Sequence, residues 1–248
     1  MRRFFLPSSS IHDAQAVIDG TEFHHLRHVL RLQVGDSILL SDEHGTEYQG
    51  TIATLTLTRA QVTITHTTPA TPRFSLTLAQ GLLKGRTMDF VIEKATELGV
   101  SRIVPLVTKF TVVHLREDQT QERLLRWRRI AQSAAKQSGS VVPHLEPPQS
   151  FAEFLHSVPD STPTLLFYEK ERRATLKHFA ESQPKLSALT VIVGTEGGFA
   201  EEEVAQARQA GCLILSLGTQ VLRAETASLV VASVCQFLWG DHRSSPLA

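Results

Sequence analysis

From residue 74 onward, short apolar runs alternate with stretches whose apolar residues recur every three or four positions. Residues 74–83, 102–108, 164–168, 190–194 and 212–217 read as strands. Between them, residues 86–98 carry Met88, Val91, Ile92, Ala95 and Leu98 at helical spacing, with Gly99 where a helix-ending glycine belongs. Residues 121–137 repeat the pattern with Leu124, Leu125, Trp127, Ile130, Ala131 and Ala134; Trp127 at that spacing is a core residue. Further helices are expected over 201–210, stopped by Gly211, and over 224–239. Strands alternating with helices predict an α/β domain with a mostly parallel sheet. In such a sheet, ligands bind at the carboxyl ends of the strands, which directs attention to the loops that leave those ends.

The first 70 residues are different. Val34-Gly35-Asp36 and His44-Gly45 are turn signals, and residues 37–40, 48–57 and 61–65 are rich in Thr, Ile and Val. Strands this short and close together predict a small barrel or a curled sheet. Pro69-Ala70-Thr71-Pro72 reads as a linker, giving two domains, 1–70 and 74–248. Hydrophobic residues make up 42% of the 248, enough for a real core and incompatible with a disordered chain. No run approaches the ~20 apolar residues of a bilayer span. The basic start, Met1-Arg2-Arg3, precedes an apolar stretch too short for a signal peptide, so a cytoplasmic protein is expected. Two cysteines, Cys212 and Cys235, are too few for a disulfide framework or a four-ligand zinc site. His24, His25 and His28 lack the acid of a zincin motif, and no metal is expected. The formal net charge is zero, but residues 116–136 hold six basic against three acidic side chains, and His24-His25-Leu26-Arg27-His28-Val29-Leu30-Arg31 is a second basic cluster. Local clustering of this kind suits a nucleic-acid backbone.

Two strand-to-helix connections stand out. Gly194-Thr195-Glu196-Gly197-Gly198-Phe199 follows Val191-Ile192-Val193. Its three glycines permit positive φ or close approach of a ligand. It is neither a Walker loop nor G-x-G-x-x-G, so it reads equally as a tight turn. The helix after it opens with Glu201-Glu202-Glu203, which suit a helix N-terminus and would repel a bare polyphosphate. The second connection, Leu217-Gly218-Thr219-Gln220-Val221-Leu222-Arg223-Ala224-Glu225-Thr226-Ala227, places Arg223 and Glu225 among apolar residues. A salt bridge or a helix-start acid is the plain structural reading of the pair, beside a functional one.

Taken together and in this order, the two connections resemble the SPOUT class of RNA methyltransferases, and within it the 16S ribosomal RNA uridine N3-methyltransferase family. Supporting stretches are His28-Val29-Leu30-Arg31, Lys84-Gly85 with Met88-Asp89-Phe90, Glu97-Leu98-Gly99-Val100, and Ala134-Ala135-Lys136-Gln137-Ser138-Gly139. The resemblance covers nearly the whole chain. It departs at Thr195, where proline is usual, at Lys136 in place of glutamate and at Ser140 in place of arginine.

That resemblance implies a PUA-like N-terminal β-barrel that helps hold RNA and a C-terminal SPOUT domain with a deep trefoil knot. It also implies S-adenosylmethionine as cofactor, a homodimer, and 16S ribosomal RNA of the small subunit as partner. Gly194, Gly197, Leu217, Gly218 and Leu222 are then the cofactor contacts, with Glu196 reaching a hydroxyl and Leu217 and Leu222 lining an apolar adenine slot. Arg223 is assigned to the negative charge that develops on the uracil, and Glu225 acts as base or orients Arg223. Arg27, Arg31, Arg126 and Arg129 are assigned to RNA phosphates. Rival readings are a different target position, a non-catalytic RNA-binding assembly factor, and an enzyme for a small nucleotide.

Overall fold

The computed structural model describes residues 1–42, 45–69, 74–113, 117–159 and 161–240. The chain divides into two compact units, Met1–Pro72 and Arg73–Ala248.

The N-terminal unit is a six-stranded sheet. Its strands are β1 (Arg2–Phe5), β2 (Ile11–His12), β3 (Gln15–Ile18), β4 (Ser37–Ser41), β5 (Glu47–Leu55) and β6 (Ala60–Thr68), in spatial order β1-β4-β5-β6-β3-β2. Only β1 and β4 run parallel; the other neighbours are antiparallel. Register shifts at Gln49/Gly50 and Ile52/Thr54 mark bulges between β5 and β6, which bend and twist the sheet. At Gly50 a Cβ would sit 2.7 Å from the Thr63 carbonyl oxygen, so only glycine fits this crossing. Helix α1 (Gly20–His24) continues into one π-helical turn, His25–Val29, and Leu26 from that turn is fully buried with Phe4, Ile18, Ile38, Leu40 and Ile52. The basic residues Arg2 and Arg3 open the first strand, and Phe4 of that strand is anchored in the core.

The C-terminal unit is the expected α/β layer structure. Its strands β7 (Ser75–Gly81), β8 (Arg102–Val107), β9 (His144–Leu145), β10 (Gln149–Ser150), β11 (Thr164–Phe167), β12 (Ala188–Val193) and β13 (Leu213–Leu215) all pair parallel. The order is β10-β8-β7-β12-β11-β13, with β9 also on β8. Successive strand residues point to opposite faces. Leu76, Leu78, Ile103, Leu165, Val191 and Leu215 face one apolar layer, whereas Ala79, Val104, Leu166, Ile192 and Ile214 face the other. The first layer is covered by α2 (Arg86–Glu97), α3 (Glu117–Ser138), α5 (Leu176–Ser182) and α7 (Ala224–Trp239). The second is covered by α4 (Phe151–Ser157) and α6 (Glu201–Gln209). Covering both faces explains the nearly continuous apolar strands.

Helices α4 and α5, at seven residues each, escape the periodicity reading. Yet α4 carries a complete capping box, Ser150 with Glu153, followed by buried Phe151, Phe154 and Leu155. Trp127 is core, as expected. Helix α3 starts at Glu117, four residues before the expected position. Burial pushes the Cys212 thiol up to about 11 and the Cys235 thiol up to about 12, so neither offers a thiolate nucleophile at neutral pH. No helix among the described residues is long and apolar enough to cross a membrane.

Candidate active site

Four neighbouring strands reach one rim, with β7 running one residue further than the others. Gln80 of β7 pairs with Val193 of β12, and Phe167 of β11 pairs with Leu215 of β13. The β11–β12 register, Leu166 with Ile192, brings these two pairs level. The segments that leave this rim begin with Leu82, Gly194, Tyr168 and Ser216. They enclose a cavity of about 550 Å³, a typical size for a small-ligand site. Its walls include Gly194, Glu196, Gly197, Leu217, Gly218, Leu222, Arg223 and Glu225. The cavity therefore brings together all eight residues expected to hold cofactor or perform chemistry. Thr87, Phe167, Tyr168, Glu169 and Ser216 line it too and were not anticipated. Tyr168 and Glu169 follow an apolar strand, so Phe167-Tyr168-Glu169 at its carboxyl end was the available signal.

The glycine connection is a tight turn built for close approach. The Gly198 amide donates to the Thr195 carbonyl at 3.0 Å. The Gly197 amide donates to the Thr195 hydroxyl at 3.3 Å. Thr195 is buried, and its side chain supplies a local bond that restrains the turn. A Cβ at Gly194 would lie 3.0 Å from the Gly198 backbone. The Glu196 carboxylate accepts from the Lys84 amide at 3.1 Å, pinning the turn to the segment before α2. At Gly197 a Cβ would lie 3.0 Å from Phe110, so a larger residue there crowds a neighbouring side chain as well as the cavity.

The acids that open α6 are all engaged. Glu201 pairs with Lys170 at 3.0 Å and Glu202 with Lys109 at 3.2 Å. Glu203 accepts from the Ala200 amide at 2.9 Å and from the Lys109 amide at 2.8 Å. None of them lines the cavity. The expectation that they repel a phosphate is therefore corrected: they fasten α6 to its neighbours.

The second connection enters α7 with Arg223 as its N-cap residue. Arg223 Nη1 lies 4.0 Å from Glu225 Oε1, and 86% of the arginine side chain is exposed. A loose, exposed pair contributes little to stability, which leaves the guanidinium available at the cavity wall. Gly218 has φ +132°, and no atom lies within 4 Å of the point a Cβ would occupy, so its missing side chain leaves room in the pocket. The Glu201 carboxylate and the buried Tyr168 hydroxyl both interact with Lys170 and raise its pKa. The roomy glycine cradle at Gly218, with polar groups among the walls around it, fits a nucleoside-sized ligand with polar substituents.

The four arginines expected at phosphates are all exposed at the surface. Arg27 lies in the π-helical turn and Arg31 just after it at φ +54°, a conformation that costs a non-glycine residue energy. Arg126 and Arg129 share one face of α3. Arg126 is paired with Asp89, so its charge is already partly compensated. His24 and His28 rings lie 4.8 Å apart, and no cluster able to hold a metal occurs among the described residues.

Residues 70–236 match the RNA methyltransferase domain family, and residues 18–65 match the RNA methyltransferase PUA domain family. The sequence is 29% identical to a Bacillus subtilis ribosomal RNA small subunit methyltransferase E over 96% of both chains. It is 30% identical to the Synechocystis protein of the same name, over 92% of this chain and 75% of that one. A Neisseria gonorrhoeae ribosomal RNA small subunit methyltransferase E, solved with S-adenosylmethionine bound, superposes with a TM-score of 0.83. It is 32% identical, over 98% of this chain and 99% of its own. A Legionella pneumophila protein solved with the same cofactor gives 0.80 at 27% identity, over 96% and 98%. Fold and site thus define an RNA methyltransferase. More narrowly, the chain belongs to the ribosomal RNA small subunit methyltransferase E family.

Gly218 offers a direct test of the pocket. Gly218→Ala places a methyl group in the cavity at a backbone angle that costs of the order of 1–3 kcal/mol. S-adenosylmethionine affinity by calorimetry should fall about tenfold or more. Gly211→Ala, at φ +81° beyond α6 and outside the cavity, should lower Tm and leave that affinity unchanged.

Proposed function

We propose that this chain methylates N3 of one uridine in the 16S ribosomal RNA of the small subunit, using S-adenosylmethionine. The observation that carries the reading is the cavity in which both late connections meet, with Arg223 and Glu225 at its wall. The family's named activity on small-subunit ribosomal RNA and the cofactor bound by its solved relatives support the substrate class and the methyl donor.

Gly194, Gly197, Leu217, Gly218 and Leu222 hold the cofactor, largely through backbone groups and the apolar walls of the slot. Glu196 is oriented by the Lys84 amide toward its hydroxyl role. Bound S-adenosylmethionine supplies a methyl group already activated on a sulfonium, so the protein needs no covalent nucleophile. It still has to align the reactants, remove the imide proton from N3 and stabilise the uracilate. Arg223 stabilises the uracilate, because its guanidinium is permanently charged and sits at the positive end of α7. Glu225, 4.0 Å from Arg223, is assigned either as the base that takes the N3 proton or as the group that orients Arg223.

The N3 edge is occupied in any base pair, so the uridine must be unpaired or extruded. Arg27, Arg31, Arg126 and Arg129 supply the sequence-independent backbone contacts, and domain 1–70 helps hold the RNA. The same reading includes a knotted path through residues 74–248, a cytoplasmic location, and a homodimer. The exposed apolar side chains Val234, Phe237 and Leu238 on α7 support the last of these.

Methylation of small subunits purified from cells lacking the gene, followed by mapping of the modified base, tests the target. N3-methyluridine at one position is expected; a ring-carbon or ribose product overturns the assignment. In single-turnover transfer at saturating cofactor, Arg223→Ala should slow the reaction about a hundredfold or more. A near-wild-type rate removes Arg223 from its role.

A further inference from the structure

A glutamine stands near the end of a buried central strand. Gln80, the penultimate residue of β7, is fully buried, which is costly for a primary amide unless its donors and acceptor are all engaged. Here they are. Nε2 donates to the Gly81 carbonyl at 3.0 Å and to the Gly194 carbonyl at 3.0 Å. Oε1 accepts from the hydroxyl of Ser228, a fully buried residue in the second turn of α7. Ser228 Oγ also lies 2.9 Å from the Ala224 carbonyl oxygen, in the first turn of that helix. The two carbonyl acceptors require the nitrogen on one side and the serine requires the oxygen on the other, so the amide has one orientation.

The two ends of this network are the two walls of the cavity. Gly194 begins the glycine turn, and Ala224 and its neighbours Arg223 and Glu225 form the α7 wall. The next residue makes the fit tighter still. A Cβ at Gly81 would lie 2.6 Å from the Thr195 nitrogen and 2.7 Å from the Gly194 carbonyl carbon, so the strand end seats the turn by direct backbone contact. We infer that Gln80 is a positioning residue for cofactor binding: its buried amide fixes the glycine turn against the start of α7 and so sets the width of the pocket. The inference rests on the assignment of this cavity to S-adenosylmethionine.

Gln80→Met keeps length and removes both donors and the acceptor, whereas Ser228→Ala removes only the helix arm. Because a buried polar group left unpaired is more costly than the bond it made, each should weaken S-adenosylmethionine binding about tenfold, measured by calorimetry. The Kd of RNA lacking the target uridine should stay constant. Ser228→Thr, which retains the hydroxyl, should restore cofactor affinity. The double variant Gln80→Met with Ser228→Ala should bind no more weakly than Gln80→Met alone, because both break one network. Ile103→Val, a core change in β8, supplies a destabilised control whose affinity should stay normal.

Unchanged cofactor affinity in both Gln80→Met and Ser228→Ala overturns the inference, as does an equal loss in Ile103→Val at matched Tm. If Gln80→Met does not fold, Ser228→Ala against Ser228→Thr decides it alone. Loss of affinity in Gly218→Ala with none in the Gln80 and Ser228 variants refutes only the positioning role. Normal affinity in Gly218→Ala refutes the cavity assignment itself.

Discussion

A parallel sheet covered on both faces can present ligand-binding backbone only at its rims. That constraint organises everything else in this chain. Once β7, β12, β11 and β13 are aligned so that Gln80, Val193, Phe167 and Leu215 lie level, the segments after them must converge on one place. The strands are held by continuous backbone ladders and by apolar layers above and below, so the rim is the stiffest available platform for a site. The cavity therefore owes its shape to the core beneath it, while its chemistry comes from residues on the loops.

The loops are in turn fastened at several independent points. Glu196 binds the Lys84 amide, Glu203 binds the amides of Ala200 and Lys109, and Gln80 joins Gly194 to Ser228. The first two satisfy backbone amides that helix and sheet leave open, and the third ties down a carbonyl at the end of a strand. Arg223 is the exception. Its side chain is mostly exposed and only loosely paired, so it retains the freedom to meet a substrate that arrives from solvent. A rigid cofactor wall beside a loosely held cation is a sensible division for an enzyme that must grip a small donor and then admit a large acceptor.

Much of this was legible in the residues. Alternating strand and helix periods gave the layer structure, and the two late connections pointed to the eight residues that share the cavity. What escaped detection has definite physical causes. Helices α4 and α5 are too short for a periodic signal, although the capping box at Ser150 and Glu153 marks one of them. The acids at 201–203 look like an electrostatic statement about the ligand, and only tertiary structure shows each one occupied elsewhere. Tyr168 and Glu169 join the site because β11 lies between β12 and β13, an order that sequence spacing does not contain. Gln80 was visible as a long polar residue in a central strand, but its two distant partners lie 114 and 148 positions away.

The central claim is that both late connections close on one cofactor. Amide hydrogen exchange with and without S-adenosylmethionine measures this residue by residue. The account predicts that protection rises together in residues 194–198 and 217–223, saturating at the same cofactor concentration. Protection confined to one of those segments, or found instead in the N-terminal unit, would contradict it.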